Sequence, residues 1–456
     1  MHRVPHCVRP LSLGRFSTLL QARTLLWRLT VLVICGTYHF FWRPIGLLHA
    51  TMLHPHNDSC PISPVKRIAI ADIHDGTRID IPSIFLDLGH EILNLGFKGR
   101  NGPYPAPLAR MTYPSREISP IIISYNTHST RLTERMVKTL FEYYKSDADF
   151  LCTDAFFCQF PPALCELFLP FNRSIIINAS HRLFLGRCSP AEAKSFVEHL
   201  QKMSTGLTGT LHFISANNIY DAEYIKYFTG LDVPVIGGSS FGYQYCRYAP
   251  VRSEIIVGPT QRTEIPGFLN STKFEFRTMK SLYSKYEAED MCKHRAFVMI
   301  PYAVHSYGIL EPYSLSIPMF APSIEFAIRA NLFYDKNAND RHYCGENFQE
   351  PTWNSGSQPF SPEDRSIEAQ RHWLRFAEVY QLPHVQIFNS LEHLEEILLT
   401  ADFHDLHAQM SAFNRQKRNR VYSQIHELAA RIPTRGSVPT KYSDAAKPWG
   451  GALMPL

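Results

Sequence analysis

The stretch Met299–Ser323, MIPYAVHSYGILEPYSLSIPMFAPS, decides how this chain folds. The apolar run Ala296–Tyr302, which leads into it, reads as a buried strand, followed by a tight His-Ser-Tyr-Gly loop. A short helix is expected next, with Glu311 and Pro312 at its start, and Ile317–Phe320 reads as a second buried strand. Proline suits a first helical turn, where its missing N–H has no helical partner to lose. A carboxylate there accepts at two points from a diol such as a ribose, and the neighbouring N–H groups suit a phosphate. Ser306, Tyr307, Gly308 and Glu311 are therefore candidates to hold a nucleotide. A plain helix-start carboxylate explains Glu311 as well.

A second unit of the same kind lies at Val65–Gly99. Lys66–Ala71 is a short apolar strand, Asp72-Ile-His-Asp-Gly-Thr a loop, and Ile81–Leu88 is apolar at helical spacing. Asp80 is the expected N-cap, Pro82 falls in the first turn, and Gly89 ends the helix before the alternating strand His90–Phe97. Two strand–loop–helix openings one domain length apart point to two doubly wound α/β domains. The aperiodic Gly/Ser/Tyr segment Gly237–Pro250 joins them, and Glu254–Val257 opens the second.

Together these segments resemble GT-B glycosyltransferases. Leu88–Gly96, LGHEILNLG, is similar to the GHEV opening of their first domains. The run from Glu311 to Pro318 is similar to the E-A-hydrophobic-x-x-G-x-P segment that holds the donor. The chain departs from that pattern at Pro312 and Ser316, and at Ala303, where retaining enzymes often carry a second acid. The resemblance spans roughly residues 65–430. It implies an acceptor domain at 66–250, a nucleotide-sugar domain at 251–400, and a closing helix and tail at 401–456. It also implies an enzyme moving a sugar from a nucleotide-sugar co-substrate to a glycan or glycoconjugate, with no other cofactor and no metal. The loss of the acid at 303 motivates an alternative, a catalytically silent GT-B relative that binds glycan or scaffolds other Golgi enzymes.

The net charge of +5 is concentrated in the leader. Six arginines precede the first acid, Asp58, and setting them aside leaves 40 basic against 41 acidic residues. The body is nearly neutral, which excludes a general nucleic-acid footprint. Leu29–Trp42 is the apolar core of a wider span at 25–48, with four arginines before it in residues 1–24. That layout predicts a type II signal anchor with a cytosolic tail, a stem at 49–65 and the body in the Golgi or ER lumen. A cleaved signal peptide or an Arg-rich transit peptide reads the same leader differently. Four sequons, at Asn57, Asn172, Asn178 and Asn270, favour the secretory route, as do eight cysteines beyond the anchor.

Chemistry is sought at the carboxyl ends of the parallel strands. His74 and Asp75 follow the first strand and are candidate general bases for an acceptor hydroxyl, although Asp75-Gly also fits an ordinary turn. His181, after the strand Ser174–Asn178, is a second candidate of the same kind. Lys273, Arg277 and Lys280 share one face if their segment is helical and would then neutralise a diphosphate; a solvated charged face is the more common explanation of such spacing. Asp147-Ala-Asp149 precedes a strand and reads as a surface turn, not a metal motif.

Overall fold

The computed structural model describes residues 64–72, 74–96, 115–117, 132–180, 183–187, 189–206, 210–238, 240, 246–259, 264–301, 303–332 and 354–433. The expected anchor, the stem up to residue 63 and most of the tail lie outside them. Among the described residues no helix is long and apolar enough to cross a membrane.

The first sheet contains β1 (Arg67–Ala71), β2 (Glu91–Gly96), β3 (Ser115–Glu117), β4 (Ala155–Cys158), β5 (Ser174–Ala179) and β6 (Phe213–Ala216). All pair in parallel, in the order β3-β2-β1-β4-β5-β6. The second sheet contains β7 (Arg252–Gly258), β8 (Phe276–Arg277), β9 (His294–Met299), β10 (Met319–Pro322) and β11 (Gln386–Phe388), in the parallel order β11-β10-β9-β7-β8. Each order reverses direction once, between β1 and β4 and between β9 and β7, and such switch points leave a crevice at the carboxyl ends of the strands.

The helices used below are α1 (Asp75–Asp87), α2 (Glu134–Tyr144), α3 (Pro190–Ser204), α4 (Ile219–Thr229), α5 (Tyr307–Ser314), α6 (Ile367–Leu374), α7 (Glu378–Gln381), α8 (Leu391–Thr400) and α9 (Phe403–Arg431). Most begin at a residue that suits a cap: Thr133 for α2, Ser189 with Glu192 in a capping box for α3, Asn218 for α4, Ser366 for α6 and Asp402 for α9.

The strands are apolar on consecutive residues because both faces of each sheet are covered. Ile68, Ile70 and Ile176 point to one face of the first sheet, beneath Ile84, Phe85, Ile425 and Leu428. Ala69, Ala71 and Ile175 point to the other, toward α2 and a nest of Phe150, Phe156, Phe168 and Phe171. In the second sheet Ile255, Val257 and Val298 face Leu394, Phe403 and Leu406. Helix α9 joins the two bodies: its start covers the second sheet and its end the first, over 29 residues or about 43 Å.

Two helix starts differ from the sequence reading. Helix α1 begins at Asp75, capped by His74, so Asp80 and Pro82 lie inside it. Helix α5 begins at Tyr307, capped by Ser306, so Glu311 and Pro312 are its fifth and sixth residues and not its start. In both cases a cap nearer the strand end satisfies the first N–H groups and starts the helix early.

Candidate functional site

The residues that follow the carboxyl ends of β1, β4 and β6 meet those that follow β9. Asp72, fully buried, accepts from His74 N–H at 2.9 Å, from the Thr77 hydroxyl at 2.6 Å and from Phe160 N–H at 3.0 Å. It thereby fastens the loop after β1 to the loop after β4 at the switch point. The His74 ring stacks on Tyr307, centroids 6.1 Å apart, and meets the edge of Phe160 at 6.0 Å. Its Nδ1 accepts from Gly76 N–H at 3.2 Å to cap α1. In the neutral ring the proton is then on Nε2. Gly76 is required here, since a Cβ would lie 2.9 Å from Tyr307 Cγ.

Tyr307 reaches from the second half into the first. Its hydroxyl receives a hydrogen bond from Gln159 Nε2 at 3.1 Å and donates to Asp80 Oδ2 at 3.3 Å. Asp80 Oδ1 accepts from Ser240 N–H at 2.8 Å. Beside this bridge His305 spans the same gap. Its Nδ1 is 2.7 Å from Glu378 Oε2, and its Nε2 is 3.0 Å from Asn217 Nδ2, just past β6. Glu378 is placed by its own N–H, which donates to Val304 O at 2.9 Å. Lys417 of α9 donates to Gly238 O at 2.8 Å. At this seam the buried oxygens Gln159 Oε1 and Asn217 Oδ1 have no hydrogen-bond partner among the described residues.

Burial opposes charge on His305, but Glu378, helped by Asp221 and Asp80, outweighs it and raises the ring's proton affinity above the ordinary value. Part of the Lys417 side chain meets solvent, yet its ammonium is enclosed. Burial pulls its pKa below that of an ordinary lysine, against the pull of Glu378 and Asp80.

The sequence candidates divide. His74, Ser306, Tyr307 and Gly308 gather at this seam, where Gly308 N–H is taken by Ser306 Oγ at 3.2 Å. Glu311 is half-buried in α5. Asp75 is the first residue of α1, with its side chain outside the described residues, and His181 lies outside them altogether. The basic trio shares no helix: Lys273 is in a loop, Arg277 in β8 and Lys280 in a helix of four residues. Lys273 pairs with Glu395 at 2.8 Å and Arg277 with Glu275 at 2.7 Å, so local carboxylates already use two of these charges. Of the sequons, Asn172 and Asn270 are exposed, and Asn57 lies outside the described residues. Asn178 is 1 % exposed inside β5, donating to Ile236 O and accepting from Ser215, so a glycan has no room there.

Sequence reasoning missed Asn217, Gln159, His305 and Glu378. The strand-end rule that found His74 reaches Asn217 and Gln159 equally; nothing local marks Glu378. Among the described residues no three metal-ligating side chains come together. A groove at Arg252, Arg295 and Phe403 lies at the opposite, amino ends of β7 and β9, and its arginines are engaged by Glu254 and the Phe403 ring.

No family model matches this chain, and no curated protein matches it. Among solved structures it is similar to the glycotransferase of kitacinnamycin, at 11% identity and a TM-score of 0.41, over 81% of this chain and 99% of that one. It is similar to the glycosyltransferase SnogD from Streptomyces nogalater, at 12% identity and a TM-score of 0.39, over 80% and 99%. The Streptomyces sp. SF2575 glycosyltransferase SsfS6 follows at 10% and 0.28, over 74% and 99%.

Proposed function

We propose that this chain is a glycosyltransferase that moves a sugar from a nucleotide-sugar donor to a glycan or glycoconjugate hydroxyl. One observation carries the reading: two doubly wound parallel sheets turn their carboxyl ends toward each other across a single polar seam. One such crevice suits one nucleotide-like ligand, and two that face each other suit a reaction in which a group passes between two bound partners. The donor is assigned to the β9–α5 side, with Glu311 toward the ribose, and the acceptor to the β1 side. His74 is the nearest described base candidate. To accept a proton at Nε2 its ring must adopt the other tautomer, which requires the α1 cap to loosen when the acceptor binds.

A lumenal setting, with the 25–48 span as a type II anchor, is part of the same proposal. The acid-free leader, the exposed Asn172 and Asn270 and the disulfides Cys158–Cys165 and Cys246–Cys292 support an oxidising compartment.

Titrating the purified protein with a panel of nucleotide sugars tests the reading. At least one is expected to bind, and Glu311→Gln is expected to weaken it by about tenfold to a hundredfold, the loss of a charge-assisted hydrogen bond. A folded protein that binds none of them overturns the proposal. The second reading, a silent glycan-binding or scaffold protein, is favoured by one observation: the Tyr307 hydroxyl and the His74 cap already occupy the seam. Donor binding without transfer to any acceptor would select it.

A further inference from the structure

Asn217, His305 and Glu378 form a chain of hydrogen bonds from the end of β6 to α7, across the seam between the two halves. As oriented, the Asn217 amide gives Nδ2 to His305 and leaves Oδ1 buried with no partner among the described residues. A Cβ built on Gly238 would lie 2.6 Å from Asn217 Oδ1, 2.9 Å from its Nδ2 and 2.9 Å from Asp80 Oδ2, so both ends of the amide and the carboxylate oxygen border one small space. An amide oxygen that receives no hydrogen bond is unfavourable beside a carboxylate.

Rotating the amide by half a turn removes the conflict, and the two ends of an amide have nearly the same shape. Nδ2 then points toward Asp80, and Oδ1 takes the place opposite His305 Nε2. The oxygen can accept only if that nitrogen carries a proton. Because Nδ1 donates to Glu378, the ring is then doubly protonated. The charges around it agree. Facing His305 are Glu378 on α7, Asp221 on α4 and Asp80 on α1, while Lys417 on α9 faces Glu378 and Asp80. Among the described residues, a charged ring adds a cation beside these carboxylates, as Lys417 does.

We propose that His305 acts as a proton-dependent latch between the two halves of the fold, held as an imidazolium between Glu378 on its own side and Asn217 on the other. Gain of the proton makes both hydrogen bonds of the ring charge-assisted, the one to Asn217 crossing the seam. Its loss returns the amide oxygen to its place without a donor beside Asp80 and loosens the entrance to the crevice. The latch requires only the two halves, whatever ligand the crevice takes.

Hydrogen exchange of the full chain, expressed as protection over the chemical rate at each pH, reads the latch directly. Between about pH 6 and about pH 8.5, protection of Asn217–Asp221 and Val304–Leu310 is expected to be lost progressively as the ring gives up its proton, while β1 and β9 stay unchanged. His305→Gln should remove the pH dependence, and Glu378→Gln, which keeps the shape but not the charge, should shift it to lower pH. If His305→Gln does not fold, the Glu378→Gln arm decides. Protection that does not vary with pH in the wild type, that still varies in His305→Gln, or that is unmoved in Glu378→Gln overturns the latch.

Discussion

At the scale of single residues, Tyr307 shows how much one hydroxyl can organise. It accepts from Gln159 and donates to Asp80, both in the other half of the fold and both fully buried. Tyr307→Phe keeps the stacking on His74 but strips Gln159 Nε2 and one Asp80 oxygen of this partner. The expected loss is about 1–3 kcal/mol of stability, read from the urea midpoint, because a buried polar group deprived of its partner bears its full desolvation penalty. A midpoint unchanged from wild type would show that water replaces the hydroxyl. Lys273 illustrates the opposite case. Its side chain is 57% exposed and paired with Glu395, away from the seam. Lys273→Ala is expected to leave nucleotide-sugar affinity where it was; a clear loss in the same titration would return this lysine to the donor site.

At the scale of elements, the pairing of β5 with β6 depends on an uncharged ring. His212 stands just before β6, and its Nδ1 accepts from Ile175 N–H at 3.1 Å in β5. Burial lowers its pKa from 6.5 to about 4. The unfolded chain therefore binds a proton below about pH 6.5 while the folded chain resists until about pH 4, so stability rises with pH across that window. Acidification through it is expected to remove roughly 3 kcal/mol, at about 1.4 kcal/mol for each pKa unit. Asparagine keeps an acceptor but does not titrate, so His212→Asn should flatten the dependence of unfolding free energy on pH between those limits. An unaltered slope would assign it to other groups. Elements also explain the misread helix starts. Both α1 and α5 take their cap from the strand-end loop, His74 in one and Ser306 in the other, so both helices start nearer the sheets.

At the scale of the whole molecule, α9 holds the two bodies in register. Phe403 and Leu406 sit with the second sheet, Val421, Ile425 and Leu428 with the first, and Lys417 between them reaches Gly238. Ile425 is 1% exposed against the face of the first sheet. Ile425→Ala is expected to destabilise the protein by about 2–5 kcal/mol, the range for emptying a buried branched side chain. Thermal or urea unfolding measures it. A shift below about 1 kcal/mol would mean that the helix end can leave the sheet without harm. A strap spread over both cores also lets the seam loosen without separating the halves, as the His305 latch requires.

Sequence alone determined the class of fold and most of its elements, because those signals are local. Runs such as RIAIA at β1 and SIIINA at β5 are apolar on successive residues, as buried parallel strands must be, and Ser189-Pro-Ala-Glu marks a helix start within four residues. His74, Ser306 and Tyr307 were legible for the same reason: they follow strand ends, where parallel sheets place their ligands. What only the tertiary structure decided is which distant residues answer them. Tyr307 meets Asp80 across 227 positions, His305 meets Glu378 across 73 and Asn217 across 88. The burial of Asn178 and the scattering of Lys273, Arg277 and Lys280 were settled in the same way. Such meetings depend on how two sheets and a long helix are stacked, which no local period in the chain records, and the charge state of His305 depends in turn on that stacking.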